Sequence, residues 1–144
     1  MFSKACEYAI KASIYIAQQS LQGKCVNLKT IAKEIGSPEA FTAKILQELV
    51  KNNILKSKKG SKGGFLIEPK SVYTIMLSEI VYTIDGDSIY KGCGLGLKQC
   101  NAQKPCPLHT KFLDVRKNLK NILENTNLYE LTNDLEVGIS YLNR

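Results

Sequence analysis

Apolar positions recur every three or four residues along most of this chain, and the recurrence breaks at glycine and proline. Over residues 3–21, Ala5, Tyr8, Ala9, Ala12 and Ile16 fall on one face at helical spacing. Ser3 is placed to cap that segment and Gly23 to end it. Residues 27–36 repeat the pattern in short form. Asn27 is the cap, Leu28, Ile31, Ala32 and Ile35 the stripe, and Gly36 the stop. Ser37 is then expected to cap a third helix with Pro38 at its first position, where a missing N–H costs nothing, and the pattern runs to about Asn52. Helix, tight glycine turn, helix is the helix-turn-helix arrangement.

At 100° per residue the third helix divides into two faces. Phe41, Thr42, Ile45, Leu46 and Leu49 turn inward, while Ala40, Ala43, Lys44, Gln47 and Lys51 turn outward. Small residues let a helix approach base edges, and Lys44 and Gln47 carry donors for bases or phosphates. Two short strand-like runs follow, Ile54–Ser57 and Phe65–Ile67. The segment between them, Lys58-Lys59-Gly60-Ser61-Lys62-Gly63-Gly64, predicts a hairpin with a basic, flexible tip. A basic hairpin directly after a helix-turn-helix is the layout of a winged helix, with one element for the major groove and one for phosphates or the minor groove. Pro69 is expected to close this unit.

In the second half, residues 75–85 predict another helix and Asp85-Gly86-Asp87 a turn. From Pro107 to about Asn125, Leu108, Phe112, Val115, Leu119 and Ile122 alternate at spacings of four and three, a heptad seam suited to pairing with a second copy or to packing within one. Asn127 and Glu130 have the spacing of a capping box for a last helix carrying Leu128, Leu131 and Leu135. The expected fold is mainly α with a small β-hairpin wing. Residues 1–70 form the winged helix-turn-helix unit, and 71–144 hold a ligand loop and the dimerisation helices.

Charge sharpens the first half. Residues 1–70 carry 12 lysines against 5 acids, whereas 71–144 balance 8 cations with 8 acids, so the whole net charge of +7 lies in the unit expected to meet a polyanion. Double-stranded DNA is the expected partner. No run of about 18 apolar residues is present and the start lacks the apolar core of a signal peptide, so a cytoplasmic protein without a membrane span is expected.

Candidate chemistry sits in the second half. Three of the five cysteines and the only histidine fall in CGLGLKQCNAQKPCPLH, from Cys93 to His109. Glycines and prolines bend this stretch, and soft ligands on a bending loop point to a metal or iron–sulfur centre. A reducing compartment disfavours disulfides there, and an odd number of cysteines cannot pair completely. A Cys3His zinc site is the alternative, although the close C-x2-C pair usual in zinc sites is absent. A metal-free thiol sensor is another. No nucleophile-and-base constellation is present, so no enzyme is expected.

The chain resembles the Rrf-type iron–sulfur regulators typified by IscR and NsrR, winged-helix repressors of bacteria. The resemblance spans nearly the whole chain. It is carried by Ser3-Lys4 and Tyr8-Ala9, by Ala43-Lys44-Ile45-Leu46-x-x-Leu49-x-Lys51, by Gly60-x-x-Gly63-Gly64-Phe65, and by the three cysteines. It implies a homodimer held by the long helix, an operator of two half-sites, and a cluster bound by Cys93, Cys100 and Cys106. Operator affinity would then follow redox state, nitric oxide or iron–sulfur status. His109 matches the fourth ligand of IscR-like members, which suits a [2Fe–2S] cluster and is preferred. Glu7 of the partner subunit matches that of NsrR-like members and suits a [4Fe–4S] cluster. Two departures stand out. Six residues rather than five separate Cys93 from Cys100, and Ala43 replaces an acidic residue of IscR, so IscR's operator preference does not transfer. Cys6, beside Glu7, is expected to be a buried free thiol.

Overall fold

Helix α1 (Lys4–Leu21) is the spine on which the other elements pack, in a computed structural model that describes residues 1–142. Ser3 caps it, its hydroxyl accepting from the Cys6 N–H at 3.0 Å. Small side chains along its buried side, Ala9, Ala12, Ser13 and Ala17, let neighbouring helices come close, and Ile16 fills the space between them. α2 (Leu28–Ile35) and α3 (Glu39–Lys51) cross it, followed by β1 (Lys56–Lys58), β2 (Gly64–Leu66), α4 (Pro69–Val72), α5 (Leu77–Asp85), α6 (Ser88–Lys91), α7 (His109–Asn125) and α8 (Leu128–Glu136). Among the described residues no helix is long and apolar enough to cross a membrane.

The expected caps are present at three helices. Asn27 accepts from Thr30 N–H at 2.8 Å, Gly36 stands at φ 67° behind α2, and Asn127 and Glu130 close a reciprocal box at 2.9 Å each way. α3 departs from expectation. Its cap position is Pro38, and Ser37 makes no capping bond. The reason lies in α2, because the Ser37 N–H is drawn back to the Ala32 carbonyl at 3.0 Å, closing that helix and turning Ser37 into the interior. Pro69 likewise opens the short α4 rather than only closing the wing unit.

The wing pairs antiparallel with Lys56 opposite Leu66, Ser57 opposite Phe65 and Lys58 opposite Gly64. The strands start later than the apolar runs suggest because Ile54 and Leu55 are buried, anchoring the hairpin to the core instead of forming it. A third segment joins from the other side. Val26 exchanges both backbone bonds with Phe65, at 3.0 and 2.7 Å. Gly64 is required by that approach. At φ 148°, a Cβ there would lie 2.3 Å from the Val26 carbonyl oxygen.

One apolar cluster runs through both halves of the chain. Ile16, Ile31, Leu46, Leu49 and Ile67 share it with Ile80 and Leu128, all fully buried. Each such side chain contributes on the order of 1.5–3 kcal/mol by leaving water. A smaller cluster of Cys6, Val81 and Leu123 fastens α7 to α1 and α5. Backbone bonds from Leu77 to Thr126 (2.8 Å) and from Leu128 to Ile75 (3.1 Å) tie the start of α5 to the start of α8. This leaves Cys93–Leu108 as a loop between α6 and the N-terminus of α7.

Candidate nucleic-acid interface and cysteine–histidine site

α3 holds Ile45, Leu46 and Leu49 in the core, and its opposite side leaves Ala40, Lys44, Gln47 and Lys51 exposed with Ala43 half-buried. Phe41 departs from its expected inward face. It is 36% exposed and meets the Tyr8 ring edge-on, with ring centres 5.8 Å apart. In the wing Lys58, Lys59, Gly60, Ser61 and Lys62 are all exposed. Among the described residues Lys44, Lys51, Lys58, Lys59 and Lys62 make no ion pair, so their charge is not spent within the protein. Lys56, by contrast, is paired with Glu68, whose carboxyl it holds below the usual carboxylate value.

The ligand loop brings its four candidate residues together in two pairs. Cys93 Sγ lies 3.7 Å from Cys106 Sγ, and Cys100 Sγ lies 3.3 Å from His109 Nδ1. All three thiols are free and half-buried. Among the described residues no group of three or more His, Cys, Asp or Glu surrounds a point suited to one metal ion. His109 is the first residue of α7, and its N–H donates to the Cys106 carbonyl at 3.0 Å. That places the Cys106–His109 segment at the N-terminus of a long helix. Backbone N–H groups of Leu95 and Leu97 hold the Cys93 thiol below its ordinary value, with the Cys106 thiol and the Arg116 charge adding to the effect.

One face of α7 grips this loop. His109 reaches Cys100. The Phe112 ring lies under Gly94, where a Cβ would come within 3.3 Å of it. Arg116 Nη1 donates to the Gly92 carbonyl at 2.9 Å and to Cys100 Sγ at 3.2 Å. Cys93, Gly94, Phe112 and Arg116 also line a cleft of about 410 Å³. Glu7 is paired with Lys4 one turn earlier on α1, at 3.2 Å. Cys6 is fully buried, and burial, with Asp85 and Glu7 nearby, pushes its thiol up to about 12.

Residues 2–134 match the Rrf2 family, described as iron-dependent transcriptional regulators. The chain belongs to that family. An Rrf2 protein is a DNA-binding transcriptional regulator and not an enzyme, and this chain is accordingly a regulator of transcription. It is similar to an HTH-type transcriptional regulator of Aquifex aeolicus, 29% identical over 135 residues and covering 92% of each chain. It is also similar to IscR of Photorhabdus laumondii, 27% identical over 130 residues, or 90% of this chain and 77% of that one. Its fold is that of IscR from T. potens, with TM-score 0.74 and 22% identity over 98% of this chain and 92% of the other. It is equally that of CymR, the global cysteine regulator of B. subtilis, with TM-score 0.73 and 19% identity over 92% and 96%. The expected mainly helical Rrf2 winged helix is therefore present.

Two residues beside these sites carry no sequence signal of their own. Arg116 was separable from the other cations of its helix only by where the loop returns. Cys25 sits at the wing base, its thiol donating to the Lys62 carbonyl at 3.1 Å, because Val26 joins the hairpin next to it.

Proposed function

We propose that this Rrf2 regulator binds a two-half-site operator as a homodimer, and that a [2Fe–2S] cluster held by Cys93, Cys100, Cys106 and His109 gates that binding. The pairing of the ligands carries this reading. Two sulfurs on one tetrahedral metal stand about 3.8 Å apart, and a sulfur and an imidazole nitrogen about 3.5 Å apart, for bonds of about 2.3 and 2.0 Å. Cys93 with Cys106 at 3.7 Å, and Cys100 with His109 at 3.3 Å, are thus each spaced as two ligands that would share one metal. A [4Fe–4S] cluster takes one protein ligand per iron and has no use for such close pairs, and a single zinc needs all four ligands around one point. The donor set also suits iron, since imidazole and thiolate together are established cluster ligands. Bound there, the cluster would supply a one-electron centre open to oxidants and nitric oxide.

The protein's own residues provide the remainder. Ala40, Ala43, Lys44, Gln47 and Lys51 meet the major groove, and Lys58, Lys59, Gly60, Ser61 and Lys62 meet phosphates or the minor groove. Phe112, Val115 and Ile122, exposed on one helix, supply the apolar seam between copies. α7 packs on α5 and α5 on α3, so a change in the loop's grip on α7 reaches the reading helix through two packed interfaces. Function as a repressor in the cytoplasm is the accompanying expectation.

The test is a titration of one duplex, selected from random sequence by the cluster-loaded protein, with loaded and cluster-free forms at fixed salt. Different affinities are expected, and equal affinities remove the switch. His109→Ala and Glu7→Ala, reconstituted without oxygen, decide the fourth ligand. Only the His109 change is expected to alter the absorption spectrum and the iron-to-sulfide ratio.

One observation favours a second reading for cluster-free protein, namely that the Cys93 and Cys106 thiols are free and adjacent. Hydrogen peroxide can oxidise one sulfur to a sulfenic acid, its O–O bond breaking with release of water. The other thiol then displaces the hydroxyl as a second water, and the two sulfurs together supply the two electrons. Loss of two thiols on peroxide treatment, with Cys100 still reactive toward alkylation, supports this reading, and retention of all three opposes it.

A further inference from the structure

We propose that Arg116 is a positioning residue for the Cys100–His109 half of the site, and that it raises the reduction potential of the cluster by donating to the Cys100 sulfur. This rests on the cluster reading above. The guanidinium reaches two places on the loop at once, Cys100 Sγ at 3.2 Å and the Gly92 carbonyl at 2.9 Å. Gly92 is the residue before Cys93, so one side chain pins the segments that carry Cys93 and Cys100. Arg116 follows His109 by two turns of α7 and therefore shares its face, and both side chains converge on the same sulfur. Among the described residues no carboxylate pairs with Arg116, so its positive charge is offset only by a carbonyl oxygen and a sulfur. A cation with that environment is turned toward negative charge on the ligand set.

The consequence follows from charge. Reduction adds one electron to the cluster, and the added negative charge spreads onto the ligating sulfurs. A charge-assisted donor at a sulfur stabilises the reduced form more than the oxidised one, and hydrogen bonds to sulfur are among the determinants of cluster potential. Arg116 thereby sets how oxidising the surroundings must be before the cluster changes state. It also fixes the loop to the helix expected to join the two copies. Lysine keeps the charge but not the planar fork that serves two acceptors at once.

The experiment compares wild type, Arg116→Met and Arg116→Lys, reconstituted anaerobically with iron and sulfide and titrated electrochemically by absorbance and electron paramagnetic resonance. At the wild-type midpoint the Met variant is expected to show about a tenfold lower ratio of reduced to oxidised cluster, which is about 59 mV for one electron. The Lys variant is expected to lie between. Equal midpoints in wild type and Arg116→Met overturn the proposal while leaving the cluster in place. If Arg116→Met holds no iron and sulfide, Arg116→Gln carries the same comparison, a lowered midpoint supporting the role and an unchanged one overturning it. A wild-type protein that takes up no iron and sulfide overturns the cluster reading and this inference together.

Discussion

Cys6 and Cys93 illustrate how far environment separates two thiols of one chain. Cys6 is fully buried, and burial together with Asp85 and Glu7 disfavours its thiolate. Its value rises from 9.0 in the ordinary state to about 12 in the fold, so the folded protein keeps the proton longer than the unfolded chain. The stabilisation is therefore complete below about pH 9 and is lost as pH climbs toward about 12. Urea midpoints measured at pH 8 and pH 10 should fall more for wild type than for Cys6→Ala; equal falls would mean that Cys6 does not titrate late. This thiol was legible in the sequence because free cysteine is among the most buried residue types. Arg116 was not, because its meaning comes from a loop that folds back 16 positions to put Cys100 against it.

At the scale of elements, caps were the most readable feature because they depend on three or four adjacent residues. Ser3, Asn27, Gly36 and the Asn127–Glu130 pair act as their local chemistry requires. Boundaries failed where one residue served two elements, as Ser37 does when it closes α2 instead of opening α3. The strand contributed by Val26 could not be read, since a single bridging residue has no periodicity. The seam of α7 was legible as a repeat but not as a surface. Leu123, outside the repeat, is the buried residue, while Val115 and Ile122 are each 56% exposed. Val115→Asp with Ile122→Asp should shift sedimentation from dimer to monomer and leave the helical circular dichroism intact. An unchanged sedimentation coefficient would take the seam out of the interface. In the wing, Lys59→Ala and Lys62→Ala should weaken binding to every duplex alike. For each phosphate that a lysine no longer neutralises, the slope of log affinity against log salt should flatten by about 0.9. A sequence-dependent loss would instead place these lysines at base edges.

The whole molecule is held by a core that ignores the division of labour written in its charges. The basic excess lies entirely in residues 1–70, yet Ile80 and Leu128 from the later half are as deeply buried as Ile31 and Leu46 from the earlier one. Sequence showed the charge division and could not show the shared core, because packing between α1 and α8 joins residues more than a hundred positions apart. That return of α8 to α1 has a consequence for how the molecule survives damage. A protease that nicks the chain between Gly94 and Pro105 severs the covalent route from α1 to α8. It leaves intact the buried packing that holds them. The two fragments should stay associated and elute as one species until denaturant is added. Nicked protein would then keep the packing that positions its winged helix while its ligand loop is cut.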